Sequence, residues 1–385
     1  MILTGKLAFK NLIRSGLKTW LNALALSFAF VLIIFYNGMI DGWNMEARQD
    51  AIEWEYGYGH LRNAEYDPMD PFSIQDGHGI LPESYRKNLT PVLVWQGTIY
   101  PQGRMMPVLI KGIATNQKTV KIPSGVLNTS TSEYPVLLGR KMAESAGLKK
   151  GDPVLLRWRD KNGTFDAVEV TVAGIFETNV PFVDGGQLWM SLKTLQEMTG
   201  LHDEASFYIA NEAYVPERIE GWTFVDQETL LKPVTDLINA KKYGAAIMYL
   251  LLLAIGLLVI FDTQAFAIFR RQKEIGTHIA MGMTKREVIR MFTVEGAMYS
   301  IFATVLGGLY GTPLFIYLAK NGISFPVSGD TMGIIIAPTI YPVYSVALIV
   351  KTFLLLVISA TLVSLLATRK IAKMNPVEAL KGKAL

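Results

Sequence analysis

The sequence predicts a membrane protein: four transmembrane α-helices, one before and three after a large extracytoplasmic α+β domain. Three observations predict it. Four apolar runs are each long enough to cross a bilayer, basic residues collect beside their ends on one side, and about 200 residues of mixed character separate the first run from the second. Composition agrees, since half of the 385 residues are hydrophobic, 18% are charged and mean hydropathy is +0.28. That is too apolar for an ordinary soluble domain of this length and too long for a bare anchor.

Residues 19–40 are 22 positions without a charge, and residues 244–269 are 26 positions with Asp262 alone. At about 1.5 Å per residue, each can cross about 30 Å of hydrocarbon. Residues 291–319 carry only Glu295 and residues 344–368 only Lys351, so these read as the third and fourth spans. A cleaved signal peptide is the alternative for the first run, because Lys6, Lys10, Arg14 and Lys18 precede it. Its uninterrupted length and the lack of a small-residue cleavage pattern favour a retained anchor.

Charge sets the orientation. Residues 1–18, 270–290 and 369–385 together hold 15 basic and 3 acidic residues, whereas residues 41–243 hold 20 and 27. Lys and Arg near span ends stay cytoplasmic, so both termini and the loop of residues 270–290 are expected inside. Residues 41–243 and the loop of residues 320–343 are expected outside. The N-terminal residues 1–18 read as an amphipathic helix, with Phe9, Ile13 and Leu17 along one face and Lys10, Arg14 and Lys18 beside it, suited to an anionic leaflet.

The outer 203 residues are enough for one or two globular units. Asp41 to Glu55 reads as a helical stalk, broken at Gly57-Tyr-Gly59 and Asp67-Pro-Met-Asp-Pro71. Leu93 to Tyr100 and Met105 to Ala114 form one expected hairpin around Pro101-Gln-Gly103. Val154 to Arg159 and Val168 to Phe176 form another about Lys161-Asn-Gly163. Helices are expected over Leu137 to Leu148, where Gly147 marks a cap, and over Ser191 to Met198. Strands Phe207 to Ala210 and Trp222 to Val225 precede Asp226, the expected N-cap of a second stalk, kinked at Pro233, that enters the second span.

Little in the chain carries covalent chemistry. It contains no cysteine, which removes thiol catalysis, zinc–thiolate sites and disulfides. No stretch matches G-x-x-x-x-G-K-[ST], G-x-S-x-G or H-E-x-x-H, so neither an ATPase nor a hydrolase of those kinds is expected here. His60, His78, His202 and His278 lack metal-ligand spacing, and Asp67, Asp70, Asp76 with His78 miss the calcium-loop pattern. No metal, cofactor or nucleic acid is expected on this chain.

Intramembrane polarity needs a reason, because a charge in lipid is costly. Asp262 lies about 12 Å along its helix from Arg270 and either pairs across a helix interface or is solvated locally. Glu295 and Lys351 are expected near the membrane interfaces, the lysine snorkelling. Ala303, Gly307 and Gly311 repeat at four-residue spacing, a small-residue face for close helix packing. In the outer half of the first span, Phe30, Ile33, Phe35 and Met39 are apolar groups at the depth of outer-leaflet acyl chains.

The cytoplasmic loop Arg270 to Arg290 places Ile275 and Ile279 one turn apart, interrupts at Gly282, and resumes with Val288 and Phe292. A short amphipathic helix across the membrane surface is expected, its apolar face offered to a partner or to lipid. At the other end, Asn375, Pro376 and Glu378 suit a helix start and predict a tail helix within residues 369–385.

Arg271, Lys273-Glu-Ile-Gly276, Ala280-Met-Gly282-Met-Thr284, Phe292 and Glu295-Gly296 resemble the loop motif of the FtsX/MacB superfamily of ABC transporter permeases. Ala8-Phe-Lys-Asn-Leu-Ile-Arg14 and Asn375-Pro-Val-Glu-Ala-Leu380 look like its other cytoplasmic signatures. Leu138-Gly139-Arg-Lys-Met-Ala143, Gly147-Leu148, Gly151-Asp152 and Val172-Ala-Gly-Ile-Phe176 are similar to its external domain. The resemblance departs at Asp262, a position more often uncharged in such proteins.

The resemblance implies a permease in the bacterial inner membrane. Such a subunit dimerises with a second permease, like or unlike, and works with a cytoplasmic ABC ATPase dimer that binds ATP and Mg. Glu274, Ile275, Gly276, Ile279, Met281, Gly282 and Met283 are the residues it implies for ATPase coupling. Within the superfamily, the length and Val108-Leu-Ile-Lys-Gly-Ile113 look most like the lipoprotein-releasing Lol permeases, which extract lipoproteins and hand them to a periplasmic carrier. MacB-like exporters of peptides or small molecules and FtsX-like non-transporting regulators are the alternatives.

Overall fold

Uninterrupted apolar sequence followed by a helix-compatible stalk produces one continuous helix, α1 (Leu17–Ala51). The computed structural model describes residues 17–324 and 339–373. Most of the expected N-terminal helix, the middle of the loop of residues 320–343, and the tail motif Asn375 to Leu380 lie outside the described residues.

Among the described residues, four helices are long and apolar enough to cross a membrane: Trp20–Tyr56, Gln227–Arg270, Lys285–Asn321 and Val346–Ile371. The last three contain α4 (Gln227–Arg270), α6 (Lys285–Asn321) and α7 (Val346–Thr368). Between α4 and α6 lies α5 (Gln272–Ala280). The described residues divide into a helical unit, residues 17–43, 238–324 and 339–373, and a sheet unit, Asn44–Leu237.

In the helical unit, α1 is the most enclosed helix. Leu26, Phe30, Val31 and Ile34 pack with Leu253 and Ile260 of α4, Ala303 of α6, and Leu356 and Ala360 of α7. The small face of α6 is what admits α1: a Cβ on Gly307 would come within 2.9 Å of Phe30 Cδ1, and one on Gly311 within 3.0 Å of Val31 Cγ2. Polar side chains also join the helices. Asn22 donates to Thr263 at 2.8 Å, and the Ser27 and Tyr310 hydroxyls lie 3.2 Å apart. The α6 start is a capping box, with the Thr284 N–H donating to Glu287 at 2.8 Å and the Glu287 N–H to the Thr284 hydroxyl at 3.3 Å.

In the sheet unit, α1 widens into a π-helical turn, Ile52–Tyr56, that stops at Gly57, whose φ of +54° is the left-handed conformation a glycine tolerates. The strands are β1 (Gly59–Asn63), β2 (Leu89–Ile99), β3 (Met106–Ile113), β4 (Pro135–Gly139), β5 (Pro153–Arg159), β6 (Phe165–Phe176), β7 (Gln187–Ser191), β8 (Phe207–Ala210) and β9 (Trp222–Asp226). The pairings β2–β3, β3–β7, β7–β4, β4–β6, β6–β5 and β5–β2 close a ring. The other half of β2 continues through β8 and β1 to β9. Two helices, α2 (Arg140–Ala146) and α3 (Leu192–Thr199), place Met142 and Leu195 against the core.

Both expected hairpins are present, β2 with β3 and β5 with β6. The helix expected from Leu137 is shorter. Leu137 to Gly139 belong to β4, a strand buried on both faces between β6 and β7, and the helix begins at Arg140. A short, wholly apolar run fits either element, and parallel pairing with β6 decides it. Gly147 caps α2 at φ +66°. Strands β1 and β7 had no counterpart in the sequence reading. Asp226 ends β9 and accepts from the Thr229 hydroxyl, while Pro233 sits inside a continuous α4.

Candidate functional site

The loop between α4 and α6 builds the most organised polar site of the helical unit. One residue, Arg271, separates α4 from α5, with φ −100° and ψ 19°. Its guanidinium uses all three nitrogens. Nε donates to Glu274 Oε2 at 2.6 Å and Nη2 to Glu274 Oε1 at 2.8 Å, while Nη1 lies 3.0 Å from both oxygens of Glu295 in α6. The Phe292 ring stands 4.7 Å from the guanidinium carbon. Hydrogen bonds to Arg271 hold the Glu274 carboxyl below the usual carboxylate range, and those to Glu274 raise the arginine.

Glu295 is 5% exposed and paired with Arg271, which accounts for a charge within an apolar run. A buried ion pair is a weak source of net stability, but losing one partner strands the other, a cost of about 3–5 kcal/mol.

Beneath this cluster, Ile275 is fully buried with Val288, Met291 and Phe292 of α6 and with Ile268 and Ile371. This corrects the expectation that Ile275 and Ile279 offer an apolar face to a partner. Ile275 and Gly276 point inward, Ile279 and Met283 are partly buried, and the apolar stripe is what packs α5 on α6. The outward face carries Lys273, Glu274, Thr277, Ala280 and Met281, the last 70% exposed, and ends at Gly282 with φ +103°.

The remaining candidates scatter. Phe30 and Ile33 are buried, Phe30 against Gly307, whereas Phe35 and Met39 are half-buried. They share no outward face; the outward side of α1 presents Trp20, Leu21, Leu24, Phe28 and Tyr36 instead. A uniformly apolar run carries no signal that separates its packed side from its lipid side. Asp262 is exposed on α4, with no hydrogen bond or ion pair among the described residues. Ala303, Gly307 and Gly311 line the α1 contact.

Sequence reading missed the Arg271–Glu295 pair, 24 positions apart, and the capping box, although Thr284-Lys-Arg-Glu287 was a visible signal for the latter. In the sheet unit it missed a buried pair, Lys111 to Glu55 at 2.7 Å, with Lys111 also 5.0 Å from the Trp189 ring centroid. A concavity of about 680 Å³ on the sheet is lined by Gln96, Met105, Leu109, Arg157 and Phe165 among others. Among the described residues, no three His, Asp or Glu side chains group as metal ligands.

Residues 246–376, which contain this site, match the family model described as FtsX-like permease C-terminal. The chain is also similar to "Lipoprotein-releasing system transmembrane protein LolC" of Xylella fastidiosa strain Temecula1, 24% identical over 238 residues, 55% of this chain and 56% of that one. The chain thus spans about half the length of that relative. The protein of the same name from Neisseria meningitidis serogroup B is 21% identical over 329 residues, 77% of this chain and 76% of its own. "Macrolide export ATP-binding/permease protein MacB" of Psychrobacter cryohalolentis is 26% identical over 183 residues, 48% of this chain and 23% of its own.

Proposed function

We propose, from the premise that this chain carries an FtsX-like permease domain, that it is the membrane-spanning subunit of a bacterial inner-membrane ABC transporter and extracts lipoproteins for outer-membrane transport. The observation that carries the coupling part is α5, whose inner side is locked to α6 through Ile275 and Arg271 while its outer side is exposed among the described residues, where a cytoplasmic ATPase dimer would engage it. ATP and Mg would bind that partner, and a second permease, like or unlike, would complete the transporter. The charge bias of the sequence supports cytoplasmic termini and a periplasmic sheet unit.

Similarity to the two LolC proteins supports the lipoprotein reading. In it, half-buried Phe35 and Met39 meet acyl chains at the outer half of α1, where burial is worth about 0.8 kcal/mol per methylene. Phe30 and Ile33 act behind them by packing. The MacB match supports a second reading, export of peptides or small molecules, and an FtsX-like regulator without transport is the third.

Photo-crosslinkers at Phe35 and Met39 test the choice. A lipid-modified protein captured without ATP and lost on turnover is the expected result. Phospholipid alone at both positions, unchanged by ATP, would count against extraction.

A further inference from the structure

We propose that Arg271 is a positioning residue, a latch that carries displacement of α5 into α6. The proposal deepens the permease reading, on which its consequence rests: the ATPase engages α5, and the latch decides which helices receive the movement.

The argument begins with the chain break. A single non-helical residue between α4 and α5 is a hinge unless something spans it. Here the hinge residue spans itself. Two nitrogens of Arg271 fork onto Glu274, one turn into α5, and the third reaches both oxygens of Glu295, on the third turn of α6. Phe292, one turn before Glu295, closes one face of the guanidinium. One planar group therefore joins the end of α4, the start of α5 and the side of α6.

Geometry rather than charge alone makes the latch. A lysine would keep the charge and lose the fork, so it could satisfy Glu274 or Glu295 but not hold both at these angles. The buried Glu295 carboxylate, in turn, has its two oxygens on one nitrogen, so it registers the height of α5 along α6. Without the latch, α5 would turn about residue 271 in thermal motion, and further under a load on Lys273, Thr277 or Met281, lifting Ile275 from Val288 and Phe292.

That consequence is measurable because the chain has no cysteine and Ile275 is fully buried under the latch. Single Ile275→Cys, Thr277→Cys and Ala360→Cys substitutions are made in the full-length chain in lipid nanodiscs, and maleimide reaction rates are followed. Ala360 is fully buried in the α1–α4–α6–α7 cluster and reports general loosening. The Ile275→Cys thiol is expected to react slowly, and at least tenfold faster when Glu295→Gln or Arg271→Lys is added. The Ala360→Cys thiol should stay protected and the Thr277→Cys thiol reactive throughout.

Unchanged protection at Ile275→Cys in both latch variants, or an equal gain at Ala360→Cys, would overturn the latch. No ATPase is present, so that failure leaves the permease reading standing. Conversely, failure of the wild-type chain to bind an ATPase would count against the permease reading and not against the latch.

Discussion

Lys111 Nζ lies 2.7 Å from Glu55 Oε1, where the π-helical end of α1 meets β3 inside the sheet unit. Only 5% of the lysine side chain and 12% of the glutamate remain exposed, so each charge depends on the other for compensation. Neighbouring contacts share the junction: Trp54 stacks on Phe176 at 5.5 Å, and Glu53 pairs with Lys121. Glu55→Leu or Lys111→Met alone should destabilise the chain by about 3–5 kcal/mol, because one buried charge is left unpaired. The double variant Glu55→Leu with Lys111→Met should recover most of that loss. Thermal unfolding of the four proteins in detergent, followed by tryptophan fluorescence, gives the coupling; additive single losses would refute it.

His60 gives the same unit a pH dependence. Burial is the largest influence, and with Arg62 and Lys111 nearby it outweighs the hydrogen bond to the Glu55 carbonyl, pushing the imidazole down to about 3. Its unfolded value is about 6.5, so below that pH the unfolded chain takes a proton that the folded chain refuses. The stability contributed by neutral His60 is fully present above pH 6.5 and is lost as pH falls toward 3, at up to about 1.4 kcal/mol per unit. Melting temperatures from pH 7 to pH 4.5 should fall more steeply for wild type than for His60→Gln; parallel profiles would show that other groups dominate.

Gly307 and Phe30 offer a packing test in the helical unit. A Cβ at 307 would meet Phe30 Cδ1 at 2.9 Å, so Gly307→Ala forces the ring or the helix to shift. Gly307→Val should cost more, about 1–3 kcal/mol. Adding Phe30→Leu should restore the melting temperature of the alanine variant. No recovery would mean that the strain is taken up elsewhere along α1.

Orientation can be read by thiol labelling in intact cells. Ser130→Cys and Met105→Cys should react with a membrane-impermeant maleimide from outside, and Thr277→Cys should not. Labelling at Thr277→Cys in sealed cells would reverse the proposed topology.

Local chemistry made much of the fold legible. The hairpin at Lys161-Asn-Gly163 could be read because Gly163 supplies φ +88° in a short turn, and the cap at Gly147 because α2 ends in a left-handed residue. Strand β7 could not be read so, since Leu188, Trp189 and Met190 carry no alternation and owe their conformation to β3 and β4 on either side. The candidate site was legible as a motif and not as a mechanism. Arg271, Glu274 and Ile275 stand close together in sequence, but the inward turn of Ile275 depends on Val288 and Phe292.

By itself the sequence determined the properties that depend on length, polarity and backbone freedom: four helices long enough to cross a membrane and the intervening α+β unit. Apart from α6, where Ala303, Gly307 and Gly311 mark the packed side, only the tertiary structure decided which side of an apolar helix is covered, because hydrophobic residues all around a helix give the chain no preferred face. It also decided that Glu295 is an ion-pair partner, because a charge in an apolar run is explained by whatever folds against it. Arg271 meets Glu295 where α5 packs on α6, so the contact belongs to the folded arrangement and to no single stretch of sequence.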